Sequence, residues 1–169
     1  RKVLKIFGAS FQIFDDQERL IAFCSQKAFK LKEDIRVFED EDQTRPLLTI
    51  KARQAIDFSA SYDIVDATSG VKVGAARRKG FKSILRDSWE LLDENDRPLD
   101  KLEEDSTGLA LARRFLSNLI PQGFHTNSGV KFKQRFNPFI YRLEVNLGGA
   151  DVDRRLILGV AALIAAIEG

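Results

Sequence analysis

The hexapeptide RRKGFK at 77–82 gathers four cations around one aromatic ring, and Arg86 follows close behind. Arg77 and Arg78 offer planar guanidinium forks, and Lys79 and Lys82 offer compact charges. Both kinds of donor bind phosphate oxygens. Near an anionic leaflet each such side chain contributes about 1 kcal/mol, and Phe81 could dip beneath the headgroups. The expectation is a lipid- or phosphate-binding turn made of Arg77, Arg78, Lys79, Phe81, Lys82 and Arg86. The competing expectation is a solubilised loop with Phe81 packed on the fold.

Residues that support catalysis are scattered. His125 is the one histidine and lies between Phe124 and Thr126 in a turn-like stretch, where exposure and inertness are expected. Cys24 sits in an apolar strand and reads as a small core residue. GASFQ at 8–12 opens a strand, so its Gly and Ser are structural. Neither G-x-S-x-G nor a Walker-type loop is present. No catalytic residue is assigned, no cofactor is implied, and a non-enzyme is expected. Metal sites need clustered ligands, and the clusters here are carboxylates: EDED at 39–42 and EED at 103–105. Both read as solvated turns. Asp151 and Asp153 are the remaining weak metal candidates, and two carboxylates fall short of the six to eight oxygens that calcium takes.

The chain of 169 residues is of a length for one domain, 1–169. Its 27 basic residues nearly balance its 25 acidic ones, which argues against a nucleic-acid partner. A single cysteine excludes an internal disulfide and fits a reducing, cytoplasmic compartment. The sequence opens at Arg1 without Met, directly in an apolar stretch, so a preceding segment is expected.

The elements that would position these groups are mostly strands. FQIFD at 11–15, YDIVD at 62–66 and WELLD at 89–93 share one grammar: aromatic, polar, aliphatic, apolar, Asp. Alternation puts Phe11 with Ile13, Tyr62 with Ile64 and Trp89 with Leu91 on one face. The Asp then starts a turn by accepting backbone N–H groups, so each unit is the first arm of a hairpin. Further strands are expected at 20–25, 35–38, 47–52, 71–76, 83–92, 130–136 and 139–147. Lys27, Lys30 and Lys32 mark a solvated edge strand. Leu109, Ala112, Phe115, Leu116 and Leu119 recur at helical steps, which predicts a helix over 106–121, closed by Pro121.

The end of the chain, RRLILGVAALIAAIEG at 154–169, contains twelve uninterrupted apolar residues, 156–167. As a helix capped by Asp151 or Asp153 this run is roughly 18 Å long, short of the ~30 Å hydrocarbon core. It is apolar on every side, so it must be surrounded on every side. Its seven large aliphatics release very roughly 14 kcal/mol gross on burial, comparable to the net stability of a whole domain. With almost everything upstream reading as strand, the sheet must surround it. About twelve strands give a ring with room for one helix, whereas eight do not. The predicted fold is therefore mainly β: a closed antiparallel barrel of about twelve strands around a hydrophobic C-terminal helix, with one short helix outside.

At this point the chain resembles the LURP-one-related and phospholipid scramblase-like proteins of the tubby C-terminal-domain-like superfamily. QKAFKLKEDIRVFEDE (26–41), IKARQAIDFSASYDIVDATSG (50–70), RRKGFKSILRDSWELLD (77–93) and DVDRRLILGVAALIAAIEG (151–169) carry the likeness, which spans nearly the whole chain. The resemblance implies the helix-threaded barrel and a connection to lipid. From these come three functional expectations: a binding domain peripheral to anionic phospholipid, a lipid scramblase, or a regulatory scaffold for a protein partner. The scramblases' calcium ligands would map only onto Asp151 and Asp153, and an acylated cysteine cluster is missing from this sequence.

Overall fold

A computed structural model describes residues 2–7, 10–25, 34–53, 60–78, 88–105, 122–135 and 142–168. Among them are twelve strands: β1 (Lys2–Phe7), β2 (Ser10–Phe14), β3 (Leu20–Ser25), β4 (Asp34–Phe38), β5 (Pro46–Ala52), β6 (Ser61–Asp66), β7 (Lys72–Arg78), β8 (Ser88–Leu92), β9 (Pro98–Glu104), β10 (Gly123–Thr126), β11 (Lys131–Arg135) and β12 (Arg142–Asn146). One helix follows, α1 (Arg154–Glu168). Strands β2 to β12 lie side by side in chain order, every pair antiparallel, and β1 is bonded to β2 on one side and to β12 on the other. The helix expected over 106–121 and the lysine-bearing edge strand lie outside the described residues.

Alternation sorts the side chains as the sequence predicts. Ile13, Tyr62, Ile64, Trp89 and Leu91 are buried, together with Ile35, Val37, Leu48, Ile50, Leu102, Phe124, Phe132, Leu143 and Val145 from the other strands. These inner-face residues form one cluster with Leu156, Ile157, Val160 to Ala162, Leu163, Ile164 and Ala165 of α1. The helix is thus covered on all sides, and it packs chiefly on β4–β7 and β12. Leu92 is also buried, although it follows Leu91 directly, because the β8–β9 register shifts there.

Four hairpins repeat one device. Asp15 accepts the N–H groups of Gln17 and Arg19, Asp66 those of Thr68 and Ser69, and Asp93 those of Asn95 and Arg97. These are the three turn-starting aspartates of the repeated grammar. The fourth is Asp40, which accepts the Thr44 N–H at 3.0 Å. Just before each aspartate the strand register shifts, at Ile13/Phe14, Val37/Phe38, Ile64/Val65 and Leu91/Leu92. Three of the turns then place a non-glycine residue in the left-handed region, Glu18, Gln43 and Asp96.

Three expectations are corrected. Val71 is not in β7; it is 61% exposed in the preceding turn, and the strand runs on through Arg77 and Arg78. His125 lies in β10, not in a turn. Glu103 and Glu104 belong to β9, not to a solvated turn, and alternation from Leu102 carries Glu104 to the inner face, where it is 3% exposed.

The fit between helix and wall is close. A Cβ on Gly159 would stand 2.8 Å from Cγ2 of Ile64, and one on Gly74 would stand 2.5 Å from the Leu92 carbonyl oxygen and 3.0 Å from Leu156. Gly74→Ala meets backbone and is expected to cost about 1–3 kcal/mol in chemical denaturation. Gly159→Ala meets only a side chain, so Ile64→Ala in the same molecule should recover part of its loss, measured as a double-mutant cycle. Truncating the plug itself by Leu156→Ala should cost about 2–5 kcal/mol. Leu99→Ala, at an exposed position, should stay within about 0.5 kcal/mol of the parent.

Candidate functional site

In an antiparallel meander, connections alternate between the two ends of the sheet. The turns at 15–19, 39–45, 66–71, 93–97 and 127–129 therefore share one end, which is also where 147–153 leads from β12 into α1. This end carries a strong charge. Residues of these turns and of 147–155 include thirteen of the chain's 25 acidic residues and five of its 27 basic ones. Its net charge is about −8, against +2 for the whole chain. The cause is turn chemistry, since each hairpin uses an aspartate to bond its own backbone.

At the centre of this rim, α1 is fastened to the sheet. Asp153 caps the helix: its carboxylate accepts the Arg155 N–H at 2.8 Å, and its carbonyl accepts the Ile157 N–H. The Arg155 guanidinium donates to Asp153 at 2.7 Å and to Asp66 at 2.9 Å. Asp66 thus starts the β6–β7 turn and holds the helix start. Backbone donation from Ser69, then the Arg155 bond, pulls its carboxyl down to about 2. Asp153 is lowered too, chiefly by Arg155. Asp151 is exposed. Asp153 is thus engaged by an arginine, and no group of three or more potential metal ligands occurs among the described residues.

On the outer face, Arg53 bonds both Asp63 and Asp96, and Lys72 reaches the same two carboxylates at 3.3 and 2.6 Å. This four-charge network ties the β8–β9 turn to β5, β6 and β7. Partial burial acts to raise Asp63, but the Arg53 and Lys72 contacts outweigh it and leave the carboxyl lowered. Asp96 is lowered by Lys72 first and Arg53 second. Sequence reading missed this network because its members are 9 to 43 residues apart. The one available signal was Asp63, a charge on the outward face of a strand.

Of the basic cluster, the described members are Arg77 and Arg78, the last residues of β7, at the end opposite the acidic rim. They point to opposite faces. Arg77 reaches Glu90 at 3.5 Å on the outside. Arg78 lies 5.7 Å above the ring of the buried Trp89, whose own neighbour is Tyr62 at 6.1 Å between centroids, a cation–π arrangement. Lys79, Phe81, Lys82 and Arg86 lie outside the described residues.

His125 gives its Nδ1 to Asp105 at 2.6 Å. The Asp105 carboxylate is seated against Gly123, where a Cβ would come within 2.2 Å of it. Cys24 is fully buried, and burial pushes its thiol up to about 12, so it stays protonated and a poor nucleophile.

Asp66 gives a pH prediction. Its folded pKa is depressed, so its contribution is fully present above the ordinary carboxylate pKa near 4 and is lost as pH falls from about 4 toward 2. Thermal melts across this window should show the parent losing stability more steeply than Asp66→Asn, with the two converging at the acid end.

No curated protein and no solved structure matches this chain. The family model described as LURP-one-related matches residues 20–165, nearly the full described architecture from β3 into α1. The chain therefore belongs to the LURP-one-related family.

Proposed function

We propose that this domain is a non-enzymatic binding module, peripheral to anionic phospholipid surfaces, and that it meets them with the end of the sheet where β7 terminates. The observation that carries this reading is the segregation of charge. The rim around the start of α1 holds about −8, so the remainder of a chain with net +2 holds about +10. By sequence, the segments between the strand ends opposite that rim (26–33, 54–59, 79–87, 106–121 and 136–141) contain eight lysines and arginines against three acidic residues. A molecule so polarised is turned by an anionic surface, basic end inward and acidic rim outward. With about 1 kcal/mol per cation near the surface, Arg77, Lys79, Lys82 and Arg86 supply a useful attraction, and Phe81 adds an interfacial aromatic.

This reading leaves α1 in place, as the plug of a closed barrel. No helix among the described residues is long and apolar enough to cross a membrane. At fifteen residues, α1 spans about 22 Å against a hydrocarbon core of about 30 Å, which speaks against lipid scrambling by an expelled helix. The acidic rim favours a second reading, a scaffold for a basic protein partner.

Sedimentation with vesicles separates the two. The parent should pellet with phosphatidylserine-containing vesicles and remain in solution with phosphatidylcholine alone. Charge reversal by Lys79→Glu, Lys82→Glu and Arg86→Glu together should weaken binding at least tenfold, with a shallower salt dependence. Asp16→Lys with Glu94→Lys on the rim should leave it no weaker. Equal sedimentation of the parent and the triple variant would defeat the lipid reading and leave the scaffold.

A further inference from the structure

The chain has one histidine, and the fold sets it near the end where β7 terminates. β9 finishes there with Glu104, and β10 starts back with Gly123. His125 is two residues further along β10, roughly 7 Å from the strand end. Its neighbour Phe124 is buried, so alternation turns the imidazole to the outer face. Nδ1 of His125 lies 2.6 Å from Oδ1 of Asp105. Asp105 follows β9 directly and donates its N–H to the Gly123 carbonyl. Both side chains are reached by solvent, at 42% exposure for His125 and 56% for Asp105. The cross-strand neighbours of His125 are Glu103 on β9 and Lys131 on β11, and Lys133 stands opposite Gly123. Among the described residues, the ring therefore sits between two carboxylates on the β9 side and two lysines on the β11 side.

We propose that His125 makes the association of this end with anionic phospholipid proton-dependent, stronger in mild acid and weaker at neutral pH. The inference rests on the lipid reading of the β7 end and names the group that tunes it. Histidine is the side-chain type that changes charge between pH 5 and 8. Cys24 is taken out of that window by burial, which pushes its thiol up to about 12. Asp15, Asp40 and Asp66 are displaced the other way, lowered first by the backbone N–H groups they accept. When the ring takes a proton, the His125–Asp105 pair changes from net negative to neutral. At roughly 7 Å from the strand end, this change falls within the screening length of about 8 Å at physiological ionic strength. A leaflet at that end therefore meets one negative charge fewer. Binding and protonation are linked, so a surface that prefers the protonated form must also draw a proton onto the ring.

The test is sedimentation of the whole domain with phosphatidylglycerol vesicles, whose charge is the same at about pH 7.5 and about pH 6. The parent should bind about threefold more tightly at the lower pH. His125→Gln should keep the weaker affinity at both values, and His125→Arg the tighter one. Calorimetry in buffers of different ionisation enthalpy adds a readout that needs no variant: the parent should take up a fraction of a proton on binding vesicles. That uptake should be absent from His125→Gln. Equal binding of the parent at both pH values, or binding without proton uptake, would overturn the proposal and leave the lipid reading standing. A His125→Gln protein with the parent's pH response would do the same. Failure of the parent to sediment at either pH would overturn both.

Discussion

The constraint on which the rest depends is the burial of a helix that is apolar all the way round. A helix with one greasy stripe can lie on a sheet, but α1 cannot, because Leu156, Ile157, Val160, Leu163 and Ile164 leave no side for water. The sheet has to reach around it, and every strand that does so must show it an apolar inner face. The small residues of the run serve the same end. Gly159 lets α1 come down on Ile64, and Gly74 lets β7 approach Leu92 and Leu156. The inner face of the sheet and the helix surface are one packing problem.

A second consequence is electrical. Neighbouring antiparallel strands are joined by short turns at the rim where α1 enters, and four of those turns are started by aspartate. Carboxylates accumulate there because of backbone hydrogen bonding. A chain with almost no net charge nevertheless acquires an acidic end. Arg155 is placed to use that surplus: it binds Asp66 and Asp153 together and so secures the start of the plug to the wall that encloses it. The proposed surface-binding role rests on this separation of charge.

The site residues show how far sequence reasoning reached. Arg77 and Arg78 are adjacent, and adjacency suggested a common patch. Once they lie in a strand, alternation sends one to Glu90 and the other over Trp89. Glu104 was similarly read as solvated from its acidic neighbours, whereas its parity with Leu102 and Phe124 decides its burial. Asp40 repeats the turn device of Asp15, Asp66 and Asp93, yet it stood hidden inside an acidic run whose composition suggested only a solvated loop.

By itself, the sequence determined the mainly β character, the hairpin aspartates, the inward residues of β2, β6 and β8, and the identity of the helix that must be enclosed. All of these are local properties, fixed by periodicity of two or of about 3.6 and by the bonding habits of aspartate. The tertiary structure alone decided which charges meet. The Arg53–Asp63–Lys72–Asp96 network and the Arg155–Asp66 clasp join residues distant in the chain. Their partners are set by strand order, by register, and by the side of the ring on which the helix comes to rest.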